Sequence, residues 1–207
     1  MPKKVDHEER RQQIAHALWR IASTRGLDDV SLRDVAAEAD ISLGRLQHYF
    51  RTKDDMLLFA LRHINALADT RIRTSIEELA ATGGHPPTPQ DILRACLTGM
   101  LPIDDKSRTG ALVSAAYFAR AIHDPRMRTD AQEGIPRLAA FFADQIRTAQ
   151  QRHAIDTTRD PEAEAMLLIS LADGLTAYTL LDVHTPERAL ELMNQHLDRL
   201  FTPATAT

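Results

Sequence analysis

Two short capped helices around a tight turn constrain this chain more than any other feature. Residues 30–58 read VSLRDVAAEADISLGRLQHYFRTKDDMLL. Ser31 is placed to cap a helix over about 32–39, with Asp34 three residues on. Leu32, Val35, Ala36 and Ala39 make its apolar face. A turn follows at 40–42, where Asp40 tolerates left-handed backbone. Ser42 then caps a helix over about 43–50, with Leu46 and Phe50 on one side. Ala36, Ile41 and Leu46 are small or apolar where the two helices must pack. This is the geometry of a helix-turn-helix, whose second helix enters the DNA major groove with its N-terminal residues at the base edges.

The polar side of the pair suits that use. Arg45 has the donors for guanine O6 and N7, and Gln47 the paired groups for adenine N6 and N7. Leu43 can touch a thymine methyl, and Gly44 removes a side chain where backbone and DNA approach. Ser31, Arg33, Ser42, His48, Tyr49, Thr52 and Lys53 are the remaining candidate DNA contacts, most of them to phosphate. Lys53 opens a fourth helix, whose N-terminal N–H groups already attract phosphate.

The rest of the chain reads as an all-α protein. Ala, Leu, Arg, Glu and Gln favour helix, and no strand pattern stands out in the 207 residues. Helices are expected at about 8–25, 53–81, 89–101, 108–123, 124–152, 161–182 and 186–201, the fifth of these kinked or divided by Gly134 and Pro136. The loop TGGHPPTP at 82–89 is a clear break. The division expected is a three-helix DNA-binding domain over 1–52 and a helical ligand-binding and dimerisation domain over 53–207, linked by the helix at 53–81, with a disordered tail at 202–207.

Charge does not make the case. The net charge is −4, but only the DNA-facing surface of a DNA binder must be basic. Cys96 is the single cysteine and excludes an internal disulfide. It reads as a small buried residue, and the nine histidines show no metal-ligand spacing. No catalytic residue, metal site or cofactor is therefore expected. The polar N-terminus has no leader character. The apolar stretch at 166–181 contains Asp173 and is shorter than the roughly 20 residues of a membrane span, so a soluble cytoplasmic protein without membrane contact is expected.

The segment over about 10–61 resembles the TetR family of repressors. The resemblance is carried by Ser31-Leu32-Arg33-Asp34-Val35-Ala36, Ile41-Ser42-Leu43-Gly44, and Leu46-Gln47-His48-Tyr49-Phe50 followed by Lys53. Trp19 and the helix ending Thr24-Arg25-Gly26-Leu27 are similar too. Ile122, Asp124-Pro125, Asp160-Pro161 and the LADGL at 171–175 look like the effector domain of the betaine-regulator-like branch. Asp40 departs from the glycine common in the family, and Arg45 and Gln47 stand where Thr and Tyr are frequent, which implies a different operator sequence.

The resemblance implies a homodimeric repressor on a palindromic double-stranded operator, released by a small-molecule effector of unknown identity. It implies a cavity among the middle helices, for which Met100, Tyr117, Phe118, Phe141, Phe142, Met166 and Tyr178 are candidates, although each alone reads as core. Asp173 is either a structural carboxylate or a ligand-facing one. Leu168, Leu171, Leu175, Leu190, Met193, Leu197 and Leu200 supply apolar surface for a four-helix dimer interface. Two other functions stay open at this point: a helical enzyme, and an architectural DNA binder that needs no ligand.

Overall fold

The computed structural model describes residues 7–26 and 30–202; Leu27 and the tail at 203–207 lie outside them. Among the described residues there are nine α-helices and no strand: α1 (His7–Arg25), α2 (Leu32–Glu38), α3 (Leu43–Tyr49), α4 (Lys53–Gly83), α5 (Pro89–Met100), α6 (Asp105–Ala121), α7 (Pro125–Gln151), α8 (Pro161–Leu180) and α9 (Pro186–Leu200).

The caps explain most of these boundaries. Ser31, Ser42, Thr52, Thr88 and Thr185 each accept a backbone N–H three residues on, and Pro89, Pro125, Pro161 and Pro186 occupy first-turn positions where no N–H is missed. Helix α6 begins three residues before its expected start. Asp104 accepts the Ser107 N–H, while the Ser107 hydroxyl takes the Asp104 N–H at 3.0 Å, a reciprocal cap that turns the expected break into a helix start. Helix α7 is a single element through Gly134 and Pro136, not two. Pro136 and Gln132 are both exposed, so water can take up the carbonyl that Pro136 leaves without a donor.

Two apolar cores organise the chain. The first joins α1–α3 to Met56, Leu57, Ala60, Leu61 and Ile64 of α4, to Val113, Tyr117 and Ala121 of α6, and to Met127 of α7. The second is built from α5, the later part of α7, α8 and α9. The apolar boundary thus falls within α4, beyond residue 52. One longer helix and two of seven residues cannot bury enough surface alone.

Polar contacts reinforce the same seam. Asp54 pairs with Arg120, Asp55 with Arg126 at 3.9 Å, and Arg62 with Asp130. The Tyr117 hydroxyl donates to the Met127 carbonyl at 2.5 Å and lies 3.3 Å from Asp130. Its burial, with Asp130 beside it, pushes the phenol up to about 12.

Helix α8 is long and apolar enough to cross a membrane by length and composition. One side of it, with Ala165, Leu168, Ile169, Ala172 and Leu175, is instead buried in the second core.

Trp19 is held between two histidines. His63 stacks on it at 5.3 Å and His16 meets it edge-on at 4.5 Å, the two imidazoles being 5.7 Å apart. Burial lowers both imidazoles, and for His16 the proximity of His63 and then Arg20 adds to it. A histidine with a depressed folded value stabilises the fold above its unfolded value, near 6.5, and loses that contribution as pH falls. Melting temperature is therefore expected to fall between about pH 7.5 and pH 5.5, and His63→Gln to flatten that slope. A wild-type melting temperature constant across this range would contradict the assignment.

Candidate nucleic-acid interface

The turn between α2 and α3 closes as a Schellman motif. The Ile41 N–H reaches the Ala36 carbonyl at 3.0 Å and the Asp40 N–H reaches the Ala37 carbonyl at 3.1 Å. Asp40 occupies the left-handed position that glycine fills at lowest cost, with φ of 51°. Ile41 packs against the first core beside buried Ala36 and Leu46. The small or apolar residues picked out for the helix–helix contact therefore make it.

The opposite side of α3 faces solvent. Gly44, Arg45, Gln47 and His48 are exposed, as are Ser31, Arg33, Ser42 and Thr52, while Leu43, Tyr49 and Lys53 are partly buried. A Cβ added to Gly44 would meet nothing within 4 Å, so the fold itself does not require glycine there. Leu46 and Phe50 point inward, as their spacing predicts.

Helix α1 braces the reading pair. Its first residue, His7, packs against His48 at 5.5 Å and Tyr49 at 5.2 Å. Arg11 lies over the rings of Phe50 and Phe59, 5.1 and 4.2 Å from their centres. Sequence reasoning missed His7, because nothing in the sequence shows that α1 begins beside α3. It also passed over Arg51, which is exposed between the reading helix and Thr52; its place beside Lys53 was the available signal.

Most acids near this surface are engaged elsewhere, while Asp40 stays exposed in the turn. Glu38 accepts from Arg20 at 2.6 Å, and Asp54 and Asp55 turn toward Arg120 and Arg126. Arg33, Arg45, His48 and Arg51 remain on the open side. The local surface is thus basic although the chain carries −4 overall.

The residues expected to form an effector cavity do not converge. Tyr117 and Phe142 are buried in separate cores, and Met100 is partly buried against the second. Phe118, Phe141, Met166 and Tyr178 are exposed, at 42, 42, 42 and 53%. Asp173 also lies on the open side of α8, and desolvation by the surrounding protein raises its carboxyl even though the residue is exposed. Cys96 is buried, which pushes its thiol up to about 11 and suits a packing role. A cleft of about 620 Å³ lies between α4, α5 and the start of α6 and is lined by none of the expected residues.

The residues expected at a dimer interface are likewise mostly internal. Leu168, Leu175, Met193, Leu197 and Leu200 are 5% exposed or less and serve this chain's own core; Leu171 and Leu190 are partly buried against it. Helical spacing had marked the apolar stripe correctly but not which neighbour it meets.

Residues 14–60 match the family described as bacterial regulatory proteins, tetR family, and residues 89–202 match the C-terminal region of BetI-type transcriptional repressors. The chain is 31% identical over 203 residues to the HTH-type transcriptional regulator PksA of Bacillus subtilis, spanning 97% of this chain and 94% of that protein. It is 30% identical over 211 residues to the HTH-type transcriptional regulator BetI of Burkholderia mallei, spanning 98% and 99%. A solved transcriptional regulator from Saccharomonospora viridis in complex with choline aligns with a TM-score of 0.77 at 26% identity, over 93% of this chain and 95% of that one.

The turn geometry yields a direct expectation. Asp40→Gly should stabilise the protein by up to about 1 kcal/mol, and Asp40→Val should destabilise it by about 1–2 kcal/mol, because a branched Cβ suits left-handed backbone worst. Equal unfolding midpoints in urea for all three proteins would show that the turn carries no such strain.

Proposed function

The chain belongs to the TetR family of bacterial DNA-binding transcriptional regulators, and from that membership we propose that it is a homodimeric repressor whose α3 reads an operator and whose body takes a small effector. The observation that carries the reading role is the open side of α3: Arg45, Gln47 and His48 stand around bare backbone at Gly44. Arg45 and Gln47 would reach base edges, Leu43 a thymine methyl, and Ser31, Arg33, Ser42, His48, Tyr49, Thr52 and Lys53 mainly the phosphates. The protein acts on DNA as a regulator, not as an enzyme.

For the dimer we favour the side of α8 that the monomer leaves open. Met166, Leu167, Ser170, Asp173, Ala177, Tyr178 and Leu181 recur there at helical spacing, and Leu167, Tyr178 and Leu181 are more than half exposed. Asp173 would enter that interface and there need a hydrogen-bond partner from the second copy. Two reading helices related by a two-fold axis suit a palindromic operator in the bacterial cytoplasm.

The effector is best accommodated in the cleft between α4 and α5. Ile72, Leu79, Ala95 and Ile103 give it apolar surface, and Arg71, Ser75, Glu78 and Thr98 give it polar groups of both signs. No aromatic ring lines it, so it lacks the box that a quaternary ammonium prefers. Ligand that binds better when α4 leans away from α5 would shift the spacing of the two readers and lower operator affinity.

Two variants separate fold from reading. Gly44→Ala should raise stability, by up to about 1 kcal/mol, yet weaken binding to the operator upstream of the protein's own gene. Arg45→Ala should cost about 1–3 kcal/mol at one base pair while leaving binding to random DNA intact. Fluorescence anisotropy with labelled duplexes measures both; wild-type affinity in both variants would move the reading role away from α3.

Leu167→Glu should convert dimer to monomer in sedimentation velocity without lowering helical content, because Leu167 is 57% exposed in the single chain. A dimer that persists in this variant would place the interface elsewhere.

A further inference from the structure

We infer that the cleft between α1, α4 and α6 is a second ligand site, built for a small amphipathic carboxylate. It is separate in its lining from the effector cleft except at Arg71, which borders both. Its volume is about 410 Å³, within the range of small-molecule sites.

The lining has a chemical polarity. Trp19, Ile64 and Leu67 form its apolar part, while Arg20, Arg71 and Lys106 bring positive charge, and no carboxylate lines it. That is unusual in a chain where Asp and Glu outnumber Lys and Arg by 29 to 25. Arg20 is held by Glu38. Among the described residues, neither Arg71 nor Lys106 meets a carboxylate at ion-pair distance, although Arg71 lies near enough to Asp104 to help lower its carboxyl. Two cations with no carboxylate at ion-pair distance, beside an apolar wall, fit one anionic head on a hydrocarbon or ring body.

A buried donor adds to this. The Trp19 indole N–H is buried with no acceptor. Its ring packs against His16, which is exposed and also lines the cleft. A carboxylate oxygen entering there would give the N–H the partner that the chain does not supply. Occupancy would also tie α1, which braces the reading pair, to α4 and α6.

Trp19 is the chain's only tryptophan, so its emission reports the site directly. The full-length protein is titrated with 4-phenylbutyrate, with 4-phenylbutanol and 4-phenylbutylammonium as neutral and cationic probes of the same body. A saturable change in Trp19 emission with the carboxylate is expected, with at least about tenfold weaker binding of the other two. Lys106→Glu and Leu67→Glu border this cleft and not the larger one. Each should weaken the carboxylate by about fivefold or more. Lys106 and Leu67 are both exposed, so neither change threatens the fold. An unchanged emission, equal binding of the alcohol, or wild-type affinity in both variants would each overturn the site. The titration needs no DNA, so it stands or falls apart from the regulatory reading.

Discussion

Helices α1–α3 hold too little apolar surface to bury one another, and the first half of α4 together with α6 supplies the missing side of their core. Everything else in the molecule follows from that shared packing. A reader with a complete core of its own could sit on a flexible tether and move independently. Here Met56, Leu57, Ala60 and Leu61 are buried among the reading helices, while the same helix continues to Gly83 along the cleft beside α5. No hinge separates the two tasks. The Arg62–Asp130 and Asp54–Arg120 pairs hold the seam from outside, and the Tyr117 hydroxyl holds it from within.

Those ion pairs do more for the charge pattern than for stability. Exposed pairs contribute little, commonly under about 1 kcal/mol. Their arrangement matters because the cations that engage Asp54 and Asp55 come from α6 and α7, not from the reading helices. Arg33, Arg45 and Arg51 are thereby left for a polyanion. A net acidic protein can present a basic face in this way.

The reading helices were legible in the sequence because their signals are local. Ser31 with Asp34, Ser42, and the turn at Asp40 specify caps and backbone within a few residues of themselves, and the structure forms each of them. The family resemblance rested on the same residues. The surfaces proposed for effector and dimer were not legible, because they depend on which of two neighbours an apolar stripe meets. Leu168, Leu175, Met193 and Leu197 were correctly seen as apolar and evenly spaced, yet they pack inward, and Met166, Leu167 and Tyr178 on the other side of α8 stay open. Helix α8 is apolar nearly all round, so its periodicity cannot tell the two sides apart. The cleft residues were missed for the opposite reason. Arg71, Ser75 and Glu78 look like an ordinary solvated face of α4, and only the approach of α5 makes them a lining.

The closeness of that approach bears on how a ligand could act. A Cβ at Gly99 would lie 2.8 Å from the Ile72 side chain, so α5 rests against α4 with no slack at this point. Helix α4 has 31 residues and spans about 46 Å. A tilt of about 5° at the Ile72–Gly99 contact carries the far end at Lys53, about 28 Å away, through about 2.5 Å. Because the first half of α4 is locked into the reader's core, that displacement cannot be absorbed by bending near residue 52. It must turn α1–α3 as a unit, together with the part of α6 packed against them. In a two-fold dimer both heads would turn in opposite senses. Their separation would then depart from the spacing of successive major grooves, while α3 itself kept its shape.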